Sequence, residues 1–226
     1  MTVGASTRFT PHTHPLVIFD WDGTLMDSVP RIVSALQTLA RECKLPIPSV
    51  TAIHDIIGLS LPVALARLFN VSEAEQEQLI DVYREIYVER EQTPTPMFAG
   101  AEGVLSALQQ AGYQLAVATG KARPGLERAW RQTNTGHYFS ASRCAKEVLS
   151  KPDPQMLNEI LQQVGVQGHQ ALMIGDSIHD MHMARNAGVV GIGVTYGVHS
   201  AQRLADAAPY AVIDDITALQ DLLLAG

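Results

Sequence analysis

Cysteine is scarce in this 226-residue chain: Cys43 and Cys144 are the only two, and they form no CxxC pair. That spacing excludes a thiolate metal centre of the usual kind. One disulfide is arithmetically available, but the reading taken is two free thiols in a reducing, cytoplasmic compartment. No apolar stretch is long enough to cross a membrane, and no apolar h-region follows the start, so no signal peptide is read. Basic charge is also short, with 16 Lys and Arg against 23 Asp and Glu and a net charge of -7. Nucleic acid and anionic membrane surfaces both want a basic face and are disfavoured as partners. An anionic substrate stays open, because a metal and a few local cations can reverse the field inside a cleft. Repeats and low-complexity segments are missing too. What remains is 46% hydrophobic and 17% charged, the composition of a globular chain. Its length suffices for one large domain or a domain carrying an insertion.

The first fourteen residues, polar and holding His12 and His14, read as a flexible tail. Leu16-Val17-Ile18-Phe19 then reads as a buried strand. Asp27-Ser28 is an N-cap signal with Pro30 behind it, and Ile32, Ala35, Leu36, Leu39, Ala40 and Cys43 fall on one helical face. A weaker helix is expected from Val50 to Ile57, closed by Gly58, and another around Leu61–Phe69. Ser72 and Glu75 make a capping-box pattern before Leu79, Val82, Tyr83, Ile86 and Tyr87. The segment is helical to about Gln92, and Thr93-Pro94-Thr95-Pro96 closes it as a linker. From Phe98 onward short apolar strands alternate with helices: strands at Gln114–Ala118, Ala171–Ile174, Val189–Val194 and Tyr210–Ile213, with the last helix at Ile216–Leu224. That alternation means an α/β fold, a doubly wound parallel sheet with helices on both faces. The expected organisation is a tail over 1–14, an α/β core over 15–27 and 98–226, and a helical cap over 28–97 inserted after the first strand.

Ligands bind such sheets outside the carboxyl ends of the strands. Asp20 and Asp22 lie there after the first strand, Thr119 after the second, and Asp176 with Asp180 after a later one, while Lys151 sits in a loop before a helix. Alone, Asp20 and Asp22 are as compatible with a turn as with a site. Carboxylates gathered with a hydroxyl and an ammonium suit Mg²⁺ and a phosphate group. Asp20 and Asp176 are candidate direct ligands. Asp180, one helical turn on, is placed to orient them from behind. The Thr119 hydroxyl and the backbone N–H groups of Trp21 and Gly120 are candidates to hold phosphate oxygens.

Together these motifs resemble the haloacid dehalogenase-like superfamily. Its DxDGT is Asp20-Trp21-Asp22-Gly23-Thr24, its strand-end hydroxyl is Thr119, its lysine is Lys151, and its GDxxxD runs Gly175–Asp180. The helical insert resembles the family's small cap. Lys151-Pro152-Asp153-Pro154 and Thr195-Tyr196-Gly197-Val198 are most similar to the phosphoglycolate-phosphatase-like branch. The resemblance implies a phosphatase with Asp20 as nucleophile, Asp22 as acid and base, Thr119 and Lys151 positioning the phosphoryl group, and Mg²⁺ on Asp20, the Asp22 carbonyl and Asp176. Gly120 departs from the Asn found in many members. The acid at Asp22 disfavours the dehalogenase and phosphonate-cleaving branches, which lack it.

Several rivals fall on residue identity. The twelfth position from Asp20 is Arg31, not the Glu of an EF-hand. Leu115 and Ala122 stand where a Walker A loop needs Gly and Ser or Thr. His179 and His182 read as a partly exposed helix face, as do Arg123, Arg128 and Arg131. A sugar-phosphate mutase or a pyrophosphatase on the same scaffold and, outside enzymes, a phospho-acceptor signalling domain remain the alternatives. The substrate expected is a small phosphorylated metabolite, with phosphoglycolate its leading name by resemblance. The loop Gly58–Pro62 is the candidate to face it, and Lys121, Arg67 and Arg143 are candidates for a second anionic group. A monomer or weak homodimer is expected.

Overall fold

The computed structural model describes residues 9–224. Six parallel strands form one sheet in the order β3-β2-β1-β4-β5-β6. They are β1 (Leu16–Phe19), β2 (Gln114–Ala122), β3 (Phe139–Ala145), β4 (Ala171–Gly175), β5 (Val190–Val194) and β6 (Ala211–Ile213). β1 and β4 are central and buried along their whole length, which is why they read as unbroken apolar runs rather than alternating ones. Alternate side chains of β1 go to opposite faces. Val17 and Phe19 join the cluster under α5 (Ala101–Gln110), α6 (Arg123–Thr133) and α10 (Ala218–Leu224). Leu16 and Ile18 join the one under α7 (Gln155–Val164) and α8 (Ile178–Asn186).

The chain leaves the sheet after β1 and returns before α5. On the way it forms α1 (Val29–Glu42), α2 (Val50–His54), α3 (Leu61–Phe69), α4 (Glu73–Glu85) and a π-helical turn over Ile86–Arg90. These pack around their own apolar cluster, which includes Leu36, Leu39, Ile53, Leu65 and Ile80. Burying a side chain of this size stabilises by about 1.5–3 kcal/mol, so the insert carries a core of its own. The outgoing and returning chains are stitched together: Asp27 N–H donates to Pro96 C=O (2.8 Å) and Phe98 N–H to Leu25 C=O (3.0 Å).

The structure departs from the sequence expectation at several elements. Of the segment expected as a tail over 1–14, residues 1–8 lie outside the described residues, and Phe9 is buried and meets Tyr210 edge-on at 4.7 Å. β2 runs on to Ala122, because β3 pairs with it through a register shift between Ala118 and Ala122. β3 itself was not expected: Phe-Ser-Ala-Ser-Arg-Cys-Ala is an edge strand, and edges carry polar residues that hide the strand pattern. The helix expected over Val50–Ile57 stops at His54 and continues as turns to Gly58. A further helix, α9 (Ala201–Asp206), is short and capped by Ser200. Both cysteines are free thiols. No described helix is long and apolar enough to cross a membrane.

Candidate active site

β1 and β4 are neighbours whose chains leave in opposite directions, and such a switch point opens a crevice at the carboxyl ends. Phe19 pairs with Ile174, so Asp20 falls beside Gly175 and Asp176 emerges one residue further on at the same end of the sheet. Asp20, Asp176 and Asp180 offer carboxylate oxygens within 4.8 Å of one another, all three residues buried. One cation enters the group: Lys151 Nζ lies 2.8 Å from Asp20 Oδ1 and 2.7 Å from Asp180 Oδ1. Asp180 is fully engaged, since its Oδ2 accepts from the Ser177 hydroxyl (2.6 Å) and N–H (3.1 Å). Asp176 accepts from the Thr24 hydroxyl (2.9 Å) and from Val198 N–H (2.9 Å). Asp20 Oδ1 also accepts from Trp21 N–H at 2.7 Å, which turns that donor toward the carboxylate. Asp20 Oδ2 is buried with no hydrogen-bond partner.

Burial drives the electrostatics. Desolvation pushes the Asp20 carboxyl well above its ordinary value; Lys151 opposes this and Asp180 and Asp176 reinforce it. Desolvation and Asp180 push Asp176 up to about 7 against the Val198 and Thr24 hydrogen bonds. Burial works against the Lys151 ammonium, but Asp180 and Asp20 prevail and raise its pKa. Three buried carboxylates therefore face a single ammonium, and one oxygen is left over. Hard oxygen donors with excess negative charge fit a divalent cation such as Mg²⁺. Close backbone supports the fit: a Cβ on Gly23, which has φ +84°, or on Gly197 would lie 2.2 Å from Asp176 Oδ2.

The Asp22 carboxylate turns elsewhere. Its Oδ1 accepts from the Ser28 hydroxyl at 2.6 Å and lies 3.0 Å from Lys121 Nζ. Ser28 thus makes no side-chain cap for α1; the residue read as a cap is committed to the site. Burial opposes the Lys121 charge, yet the Asp22 carboxylate holds its pKa above the usual value. Thr119 is buried and its hydroxyl accepts from Lys121 N–H at 3.1 Å. The Trp21 ring is buried in the core, its Nε1 3.3 Å from Met26 sulfur. Gly120 sits against the cap: a Cβ there would lie 2.4 Å from the Leu59 carbonyl oxygen and 2.6 Å from that of Gly58. The loop singled out in the sequence does border the site, for Gly58, Leu59, Leu61 and Pro62 line a cavity of about 390 Å³ together with Asp20, Asp22 and Thr119.

Other expectations divide. Of the three extra cations, Lys121 lines this cavity, whereas Arg143 is bound to Glu159 and Gln163 outside it and Arg67 is exposed on α3. Arg128 lines the cavity rather than a solvated face, and Arg123 is held by Glu147 and Ser142. His179 is buried, not partly exposed; its Nε2 lies 2.9 Å from the Asp55 carbonyl of the cap segment. Val198 acts through a backbone N–H, which no side-chain motif announces.

The chain is similar to known proteins along most of its length. Residues 17–194 match the family described as haloacid dehalogenase-like hydrolase. A Dickeya dadantii (strain 3937) protein named "Probable phosphatase IndB" is 34% identical over 205 residues, covering 88% of this chain and 89% of the relative. The Vibrio cholerae protein named "Phosphoglycolate phosphatase" is 32% identical over 218 residues, covering 92% and 96%. Among solved structures, a hydrolase from Pseudomonas syringae superposes with a TM-score of 0.82 at 26% identity, over 92% of this chain and 96% of that one.

Proposed function

Since the chain belongs to the haloacid dehalogenase-like hydrolases and is a phosphatase among relatives named as phosphatases, we propose that it hydrolyses a small phosphomonoester through an aspartyl-phosphate on Asp20. The observation that carries this reading is the Asp20 carboxylate. One oxygen is fixed by Lys151 and the Trp21 N–H, and the other is buried without a partner at the end of β1. A carboxylate so held is an oriented nucleophile.

In the first step Asp20 Oδ2 attacks phosphorus and the bond to the alcohol oxygen breaks. Asp22 delivers a proton to that oxygen; its Oδ1 is occupied by Ser28 and Lys121, leaving Oδ2 to carry the proton. In the second step Asp22 takes a proton from water, the water oxygen attacks phosphorus, and Asp20 and inorganic phosphate are released. Thr119, whose oxygen accepts from Lys121 N–H, keeps its own proton to donate to a phosphoryl oxygen. Lys151 neutralises charge as it develops, and Asp180 with Ser177 fixes Lys151 in place. Asp20, Asp176 and the Asp22 carbonyl are the groups to hold Mg²⁺, which when bound offsets the repulsion between carboxylate and phosphate dianion. Positioning and charge stabilisation dominate phosphoryl transfer, and both are built from this chain's own side chains. Phosphoglycolate enters as a candidate substrate through the names of relatives such as the Vibrio cholerae protein.

The test is Asp20→Asn. Loss of the nucleophile is expected to lower Mg²⁺-dependent phosphate release at least about a thousandfold while the fold is retained. Appreciable turnover by that variant would remove Asp20 from the mechanism.

A further inference from the structure

The cavity that begins at Asp20, Asp22 and Thr119 reaches into the cap, and its cap wall is mostly hydrocarbon, with the rings of Tyr83 and Tyr87 on it. α1 contributes Ile32 and Leu36, the turn after α2 contributes Ile56, α3 begins with Leu61, and α4 adds Ile80 and Tyr83. Among the described residues the cap places one charged side chain on this wall, Arg84, which lies 3.5 Å from Asp81. The other cations that line the cavity, Lys121, Arg128 and Lys146, belong to the core side with the phosphate-handling residues, and Lys121 is already paired with Asp22. A volume of about 390 Å³ is in the range that encloses a small organic ligand. A carboxylate set against Ile32, Leu36, Ile56, Leu61 and Ile80 would lose its water with no polar side chain among these five to replace it, whereas an alkyl or aryl group would gain by leaving water.

We infer that the cap cavity selects a phosphomonoester whose alcohol half is apolar, an alkyl or aryl group, over one that carries a second carboxylate such as phosphoglycolate. The inference rests on the phosphatase reading of the same site. The phosphate meets Asp20, Thr119 and Lys151, the apolar half fills the space between α1 and α4, and the loop at Gly58–Leu59 lies across Gly120 beside the reacting groups.

The experiment compares ethyl, butyl, hexyl and phenyl phosphate with 2-phosphoglycolate, using the full chain with Mg²⁺. Each added methylene is expected to raise kcat/KM about fourfold until the cavity is filled. 2-Phosphoglycolate is expected to fall at least about tenfold below butyl phosphate, as an unpaired carboxylate on apolar surface predicts. A flat series, or 2-phosphoglycolate as the best substrate, overturns the inference. In parallel, calorimetry measures the binding of the same five compounds to Asp20→Asn. Affinity rising with chain length supports the cavity even where no compound is turned over, an outcome that sinks the phosphatase reading alone; length-independent affinity overturns the inference. Leu61→Lys places an ammonium on the wall and is expected to move the hexyl phosphate to 2-phosphoglycolate ratio at least about tenfold toward the latter. Val88→Lys, at an exposed position lining the same cavity, repeats the measurement on a residue that the fold does not need. An unchanged ratio in both variants counts against the inference.

Discussion

Two atoms at Gly120 explain a departure that the sequence leaves bare. Where many relatives of this superfamily carry Asn, this chain has no side chain, and the Leu59 and Gly58 carbonyl oxygens occupy the space that a Cβ would need. Backbone on both sides of a clash cannot swing away as a side chain tip can. Gly120→Asn must therefore push the loop outward, and overpacking of this kind costs about 1–3 kcal/mol. The expected outcome is a lower Tm together with a raised KM, because the displaced loop also lines the cavity. Equal KM values for variant and wild type in a phosphate-release assay would show that the loop tolerates the side chain. Asp20, Thr119, Lys151 and Asp176 were legible beforehand, since each is a polar residue at the end of an apolar run or beside a helix start. Ser28 and Val198 were not. Ser28 carries the usual signature of a helix cap, and only the folded geometry shows its hydroxyl on Asp22 instead. Val198 serves Asp176 with a main-chain N–H, a group every non-proline residue has.

At the scale of elements, legibility follows burial. β1 and β4 are central, so their apolar runs stand out; β3 lies at the edge with Ser140, Ser142 and Arg143 in it, and its strand signal is lost among polar residues. The end of β2 was misplaced for a related reason, because pairing with β3 carries the strand past Thr119. The linker behind the cap was read from its prolines, and the structure adds what ties it down. Glu91 accepts from the Ser34 hydroxyl on α1 and from the Thr93 N–H (3.0 Å) and hydroxyl (2.6 Å). Arg31 donates to the carbonyls of Tyr87 (3.1 Å) and Glu91. The hydrogen bonds of Ser34, then Thr93, pull the Glu91 carboxyl from its ordinary 4.5 down to about 2. A depressed folded-state pKa means that the carboxylate's stabilisation is complete above about pH 4.5 and is lost as the pH falls toward about 2. Glu91→Gln mimics the protonated acid. Its Tm is expected to lie below that of the wild type by a constant amount at neutral pH, and the gap should close through that acid window. A gap that stays constant down to about pH 3 would mean that the carboxylate charge contributes nothing at the hinge.

The whole molecule is a sheet with an apolar cluster on each face and a helical insert with its own cluster, joined by a two-chain hinge and touching again over the site. At that second contact Ser60 N–H donates to the Ser150 hydroxyl (2.9 Å), His179 Nε2 meets the Asp55 carbonyl (2.9 Å), and Arg203 pairs with the Asp55 carboxylate. Val198, whose N–H holds Asp176, also packs into the cap's apolar cluster, so the groups that shape the carboxylate cluster and those that seat the cap share one segment. Closure over a site excludes water and completes the enclosure of the substrate. The Asp55–Arg203 pair is about two-fifths exposed on each side, and such pairs contribute about 0–1 kcal/mol to global stability. Small global worth does not mean small local worth, because the pair joins cap to core beside the loop that covers Gly120. Asp55→Ala is thus expected to leave Tm nearly unchanged, to speed backbone hydrogen exchange over residues 55–62, and to lower kcat/KM for a phosphomonoester severalfold. Hydrogen exchange followed by mass spectrometry separates the cases. Faster exchange confined to that loop places the pair in cap seating. Unchanged exchange with unchanged kcat/KM would assign the seating to the Ser60–Ser150 and His179 contacts and to the apolar packing around Val198.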